Sequence, residues 1–264
     1  MSMQKFSLEA IQKVRKYIQE ALAVKDTEEQ SQAWAGLEDD AEPPEPESLD
    51  DLSGVFTFGG LSPEDVSTPN LEGYWFVSTV NPAAALLKLP GLQVKPNYRL
   101  VSYLYRASQN GIGLVFSLPE TLSTTAQLEK VLAKSGGIAQ PPCPEGALPN
   151  FMEAIEGDRS PVSFMVASIL RRELQEFGAV GKRCNWNHHR LIDAIPTKLS
   201  WVWRVDPPKD LLPKVKVLPD GQAAVEFFSC RIGESIMLYR HLDQYPAGQY
   251  KAASLDKALA VAQR

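Results

Sequence analysis

Cysteine and histidine are both scarce in this chain, at three residues each in 264. Cys143, Cys184 and Cys230 lie far apart and form no C-x-x-C pair. An odd, scattered set argues against a disulfide scaffold and for a reducing, cytoplasmic setting. Long apolar runs are missing as well. No stretch approaches the roughly 18 residues a membrane-spanning helix needs, and MSMQKFSLEA lacks the apolar run and cleavage site of a secretory signal. The motifs with sharp mechanics are absent: there is no P-loop, G-x-S-x-G elbow, H-E-x-x-H or EF-hand loop. Gly111-Ile112-Gly113 is expected in a hairpin turn, whereas a dinucleotide site needs such glycines between a strand and a helix.

Basic residues are absent from one long region. Between Asp26 and Leu87 there are fourteen acidic residues and no Lys or Arg, so the net charge of −5 averages an acidic segment with a mildly basic remainder. Such a body attracts acidic partners or lets its own acidic segment lie across it. Within that region GLEDDAEPPEPESLDDLSG, residues 36–54, is rich in proline and acid and poor in aromatics. It reads as an extended linker rather than an acidic mimic of nucleic acid.

What is present centres on residues 160–193, SPVSFMVASILRRELQEFGAVGKRCNWNHHRLID. Ser160 is suited to cap a helix and Pro161 to occupy its first position. Val162, Met165, Val166, Ile169, Leu170, Leu174 and Phe177 then recur at threes and fours, and Gly178 suits the left-handed closing residue. Upstream, Ser7 is placed to cap a helix whose apolar face is Leu8, Ile11, Val14, Ile18 and Leu22, and Thr27 with Gln30 starts a second through Trp34. Residues 1–35 therefore read as a helical arm, either docked on the body or free to bind a partner helix or a second copy.

The body, residues 55–264, divides into three expected parts. Residues 55–137 read as strand, helix, hairpin and helix, with Asn110-Gly111 as the turn. Residues 138–195 are chiefly helical. Residues 196–264 read as an antiparallel meander of LSWVWRV, KVKVL, AAVEFFSCRI and SIMLYRHL, closed by a helix capped at Ser254 and carrying Leu255, Leu259 and Val261. The expected class is α+β, with helices packed on mixed or antiparallel sheets.

Two constellations carry candidate chemistry. On a helix, Cys184 and His188 would lie one turn apart, as would His189 and Asp193. That spacing suits thiolate activation, an imidazole oriented by a carboxylate, or a pair of metal ligands completed by His241. The competing reading is a polar loop, since Asn185 and Asn187 are poor helix formers, and no catalytic set is assigned. Lys182, Arg183, Trp186, Arg190 and Arg204, with Lys198, Trp201 and Trp203 nearby, interleave cations and rings as a nucleic-acid or phosphate-ligand surface does. Against that, Trp201 and Trp203 share one face of a strand and suit a core. Tyr98, Tyr103, Tyr105, Arg99 and Arg106 form a similar set divided between two faces of a hairpin.

The phrases RLVSYLYRASQNGIGLVFSLPE and ILRRELQEFGA resemble an uncharacterised cyanobacterial protein family, to which no activity or site is attached; the resemblance implies a soluble bacterial protein. The reading from residues is a non-catalytic adaptor, regulator or assembly factor that meets protein partners through the tethered arm and needs no cofactor. The alternatives are an enzyme or metal site on Cys184, His188, His189 and Asp193, and binding of nucleic acid.

Overall fold

The helix announced by Ser160-Pro161 forms as the sequence predicts, and two sheets pack against it. A computed structural model describes residues 2–24, 73–107 and 110–263. In chain order the elements are β1 (Ser2–Lys5), α1 (Leu8–Ala21), β2 (Trp75–Val77), β3 (Leu92–Val94), β4 (Tyr98–Ala107), β5 (Asn110–Pro119), α2 (Thr125–Leu132), β6 (Ile155–Gly157), α3 (Pro161–Gln175), β7 (His189–Ile192), β8 (Ser200–Trp203), β9 (Lys214–Val217), β10 (Ala223–Arg231), β11 (Met237–Tyr245) and β12 (Ala253–Gln263). Every strand pairing is antiparallel. The class is α+β.

In α3, Ser160 Oγ accepts the Ser163 amide at 3.1 Å, which satisfies one of the free donors of the first turn. Residues Ser163 through Leu174 are all buried, because this helix is sandwiched rather than laid on a surface. Gly178 ends the segment at φ 62°, and a Cβ there would sit 2.2 Å from Leu104 Cδ2. Left-handed backbone and close approach both require glycine.

The large sheet has the order β1-β9-β10-β11-β12-β8, with β7 paired to the end of β10 that β9 leaves free. A three-stranded sheet, β2-β4-β5, and the pair β3-β6 complete the strands. The main core lies between α3, α1, the inner face of the large sheet (Val215, Val225, Phe227) and Leu100 and Leu104 of β4.

One expectation narrows to the docked one of its two readings, and two need correction. First, the residues assigned to the leading arm are built into the body wherever they are described. Ser7 caps α1 as expected, but Ile11 and Ile18 are 2% and 0% exposed in the main core, and β1 pairs with β9 from Ser2 to Lys5. The second helix through Trp34, the linker 36–54 and residues 55–72 lie outside the described residues. Second, the closing helix at Ser254 is the strand β12, held between β11 and β8. Its alanines favour a helix locally, but pairing on both edges outweighs so weak a preference. Third, β9 to β12 form the meander while β8 crosses to the far side of β12. In the hairpin, Ala107 pairs with Asn110, so Asn110 and Gly111 belong to β5 rather than to the turn.

Candidate functional site

Side chains on one face of a strand recur every second residue, so Phe227 and Ser229 of β10 face α3 together with Tyr239, His241, Asp243 and Tyr245 of β11. Helix α3 answers this row with residues one turn apart. Ser168 Oγ meets the Tyr245 hydroxyl at 2.8 Å. One turn on, Arg172 donates to both oxygens of Asp243, at 2.5 and 3.0 Å, and to Asp256 Oδ1 at 2.8 Å. Arg171 adds a longer contact to Asp243, 3.3 Å. Two guanidinium and two carboxylate groups thus face each other between helix and sheet.

From Asp256 a single file of hydrogen bonds runs across the sheet. Asp256 Oδ1 lies 2.7 Å from His241 Nδ1. His241 Nε2 lies 2.7 Å from Ser229 Oγ, and Ser229 Oγ 2.8 Å from His189 Nδ1. Ser229 sits diagonally opposite each histidine, on neighbouring strands to either side, which is the reach such a bridge needs. Ser229 and His241 are 0% and 1% exposed and His189 is 4%, whereas the Asp256 side chain is 47% exposed at the open end of the file.

Burial dominates the titration of the two imidazoles. It pulls His189 down to about 3, helped by His241, Arg231 and Arg15 and opposed by Asp256. It lowers His241 as well, against the hydrogen bond from Asp256. Both rings are therefore neutral at pH 7. For Asp256, burial works against the charge but is outweighed by the His241 hydrogen bond and Arg172, so its carboxyl stays well below the ordinary range. Asp243 follows the same balance with Arg172 and Arg171.

The turn that delivers His189 is clamped from two helices. Arg15 of α1 donates from Nε to Glu173 Oε1 at 2.6 Å and from its terminal nitrogens to the carbonyls of His189 and Trp186. Its guanidinium lies over the Trp186 ring, 4.6 Å from the centroid. Trp186 Nε1 in turn donates to Glu173 Oε1 at 2.6 Å, and the Trp186 and His189 rings stack at 5.2 Å. Glu176 accepts the backbone amides of Asn185, Trp186 and Asn187. The carboxylates at this turn are thus already engaged by donors.

A half-open cavity of about 300 Å³ lies over the file, lined by Arg172, Arg183, Trp186, His189, Tyr239, His241 and Asp256 among others. That is the lower end of the range for small-molecule sites. Among the described residues, His189 Nε2, the Tyr239 hydroxyl and the Arg183 guanidinium have no hydrogen-bond partner. A larger cavity, about 510 Å³, opens on the other side of the sheet beside Phe228 and Leu259. Its charges largely answer one another: Glu226 pairs with Lys214 and Arg240, and Asp210 with Lys5. The smaller cavity, with converging unpaired groups, is the better candidate.

The structure scatters most of the residues the sequence singled out. Residues 185–194 are not helical: a 3₁₀ turn, Trp186–His188, leads into β7. His189 therefore points inward to Ser229 while Asp193 is exposed beyond the strand's end, and the spacing of Cys184 and His188 loses its meaning. Cys184 donates to the Ala179 carbonyl at 3.2 Å, and His188 is exposed. Of the basic-aromatic set, Trp186 is buried in the main core, whereas Trp201 and Trp203 pack on the opposite face of the sheet with Phe228 and Leu238. Lys182, Arg190 and Arg204 are exposed and no common groove unites them; Arg190 donates to the Asn187 carbonyl. In the hairpin, Tyr103 is fully buried and donates to the Leu128 carbonyl, and Arg106 donates to the Gly178 carbonyl. Cys143 is exposed and Cys230 buried; all three thiols are free.

Ser229, Asp256, Asp243, Arg172, Glu173 and Arg15 escaped the sequence reading. A signal existed for some of them. Arg171-Arg172-Glu173 interrupts the apolar face of the central helix, and His241, Asp243 and Tyr245 alternate along a strand where apolar residues are expected. Ser229 and Asp256 leave no trace, because only the pairing of β10, β11 and β12 brings them to the histidines.

The chain finds no match among protein-family models, curated proteins or solved structures. Among the described residues no helix is long and apolar enough to cross a membrane, and no group of three or more His, Cys, Asp or Glu is placed to hold a metal ion.

Proposed function

We propose that the protein binds a small polar molecule in the 300 Å³ cavity over His189 and His241, with His189 as the polar anchor. The observation that carries this reading is a neutral imidazole, held on its Nδ1 side by Ser229, whose Nε2 at the cavity wall is without a hydrogen-bond partner among the described residues. This nitrogen opens onto the cavity, where a ligand group that donates to it takes the place of water. The clamped turn supports the reading, because a site fixed by Arg15, Glu173 and Glu176 spends little on ordering when it binds.

This keeps the non-catalytic binding role expected from the sequence but changes its object. An adaptor acting through a tethered amphipathic arm needs an apolar face able to leave the body. The face of α1 is buried in the core and its Arg15 is tied to Glu173, Trp186 and His189, so a small molecule replaces a protein as the proposed partner.

Ligand-observed NMR with a panel of amino acids, hydroxy acids, sugars and nucleosides tests the proposal. A binder should lose its signal in Ala179→Trp, which fills the cavity, and keep it in Val205→Trp, which faces the other one. Binding that survives Ala179→Trp, or a panel with no binder, overturns it.

A further inference from the structure

We infer that the ligand of this cavity is a small hydroxy- or amino-carboxylic acid, its O–H or N–H donated to His189 Nε2 and its carboxylate received by Arg183. The inference rests on the binding role proposed for the cavity and adds what the cavity selects.

The direction of the hydrogen-bond file decides the donor. Asp256 is acceptor-only when ionised, so His241 must present Nδ1–H to it. A neutral His241 then has a bare Nε2, which can only accept, and Ser229 must donate its single hydroxyl proton there. Ser229 Oγ is left with acceptor capacity alone toward His189, which must present Nδ1–H. His189 Nε2 is therefore bare. One half-exposed carboxylate sets the tautomer of an imidazole three hydrogen bonds away, and a ligand that brings another acceptor meets lone pairs. The reverse direction would require a protonated Asp256 or a doubly protonated His241. The groups that face His189 from its neighbours are His241, Arg231, Asp256 and Arg15, and the three cationic or cation-forming ones among them disfavour a proton on the ring.

The charge balance decides the other end. Of the carboxylates that line the cavity, Asp256 is held by His241 and Arg172, and Glu176 by three backbone amides. Arg172 is spent on Asp243 and Asp256. Arg183 lines the same cavity with no ion pair among the described residues. A guanidinium with no carboxylate of its own is the group that receives one, in a fork that matches it. The volume, at the lower end for small-molecule sites, suits a small acid.

Two measurements on the full chain test the inference separately from the cavity itself. The first is long-range ¹H–¹⁵N NMR of the histidine rings at pH 7 without ligand. His189 and His241 should both show protonated Nδ1 and bare Nε2. Ser229→Ala should leave His241 unchanged and release His189 to a mixture, while Asp256→Asn, whose amide can donate, should reverse a fraction of both. A His189 protonated at Nε2 in the wild type overturns the inference. The second compares lactate and alanine with pyruvate, which replaces the donor by a carbonyl. The donors should bind about tenfold or more tightly than pyruvate, since a mismatched buried pair costs the desolvation of both groups, and Arg183→Gln should weaken all three. Equal binding of pyruvate, or no binding of lactate or alanine, overturns the ligand class. If other panel members still bind and are lost in Ala179→Trp, the cavity's role stands and only this inference falls.

Discussion

The two faces of the large sheet are built from the same strands and solve burial in opposite ways. Toward α3, β10 and β11 present Ser229, His241 and Asp243, held by hydrogen bonds and two arginines. One residue along, the same strands present Phe228 and Leu238 to an apolar cluster with Leu211, Leu259, Ala260, Trp201 and Trp203. Stability alone does not explain the inner choice. Removing charges from water costs several kcal/mol each, and well-packed apolar residues of similar volume are often as stabilising as a buried ion pair. The inner face even leaves the Nε atoms of Arg171 and Arg172 without partners among the described residues. The outer face holds the fold together at lower cost, and the inner one holds a ring nitrogen in a chosen state.

The comparison breaks most visibly at Asp243. Asp243→Ala leaves Arg172 buried beside Arg171 with only the half-exposed Asp256 for compensation, and should destabilise the protein by about 3–5 kcal/mol. Urea unfolding measures it. A loss below about 1 kcal/mol would mean that the pair is not desolvated as its burial implies. On the outer face Leu238→Ala should cost about 2–5 kcal/mol through lost transfer and a cavity. It should leave the ¹⁵N shifts of His189 and His241 in place. Large shift changes there would show that the two faces are not independent.

How far the sequence reveals these faces follows from the range of the signals. Local ones were legible: the Ser160 cap with Pro161, the Ser7 cap and the left-handed Gly178 each depend on a few neighbouring residues. The α+β class follows from them. The closing strand was not legible, because the alanine-rich 253–263 stretch reads as helix until β11 and β8 flank it. The docking of α1 was legible only as one of two readings, since an amphipathic face does not say which core it joins. The site was hidden almost completely. His189 was singled out for its neighbours in sequence, Asp193 and Cys184, yet its working neighbours are Ser229 forty residues on and, through it, His241 and Asp256.

The histidines also sharpen the comparison through pH. An unfolded histidine takes up a proton near pH 6.5, whereas folded His189 does so only near 3 and folded His241 is likewise lowered. Below about pH 6.5 the unfolded chain therefore binds more protons, and stability falls as the pH falls. Each histidine contributes at most about 1.4 kcal/mol per pH unit in that window. Asp243 and Asp256, whose folded values are depressed, add to the loss only as the pH passes below the ordinary carboxylate range. Urea titrations at pH 7, 6 and 5 should show the slope, reduced by about one proton in His241→Gln. A flat profile would mean that the inner face admits protons freely.

The smallest effect tests whether the helix serves both faces or merely carries the site. Ser160 lies at the far end of α3 from Arg172 and makes one capping bond, to the Ser163 amide. Ser160→Ala should cost about 1 kcal/mol, since the orphaned amide loses its acceptor and the first turn is free to fray. The Ser163 hydroxyl, 2.6 Å from that of Tyr250, ties this end to the chain beyond β11, so fraying is confined to one turn. Arg172 and Glu173, three turns on, should not move. Unfolding in urea should therefore register the loss while the histidine tautomers and any bound ligand's affinity stay fixed. A change in either would show that the site depends on the whole length of α3 and not on the turn clamped by Arg15 and Glu176.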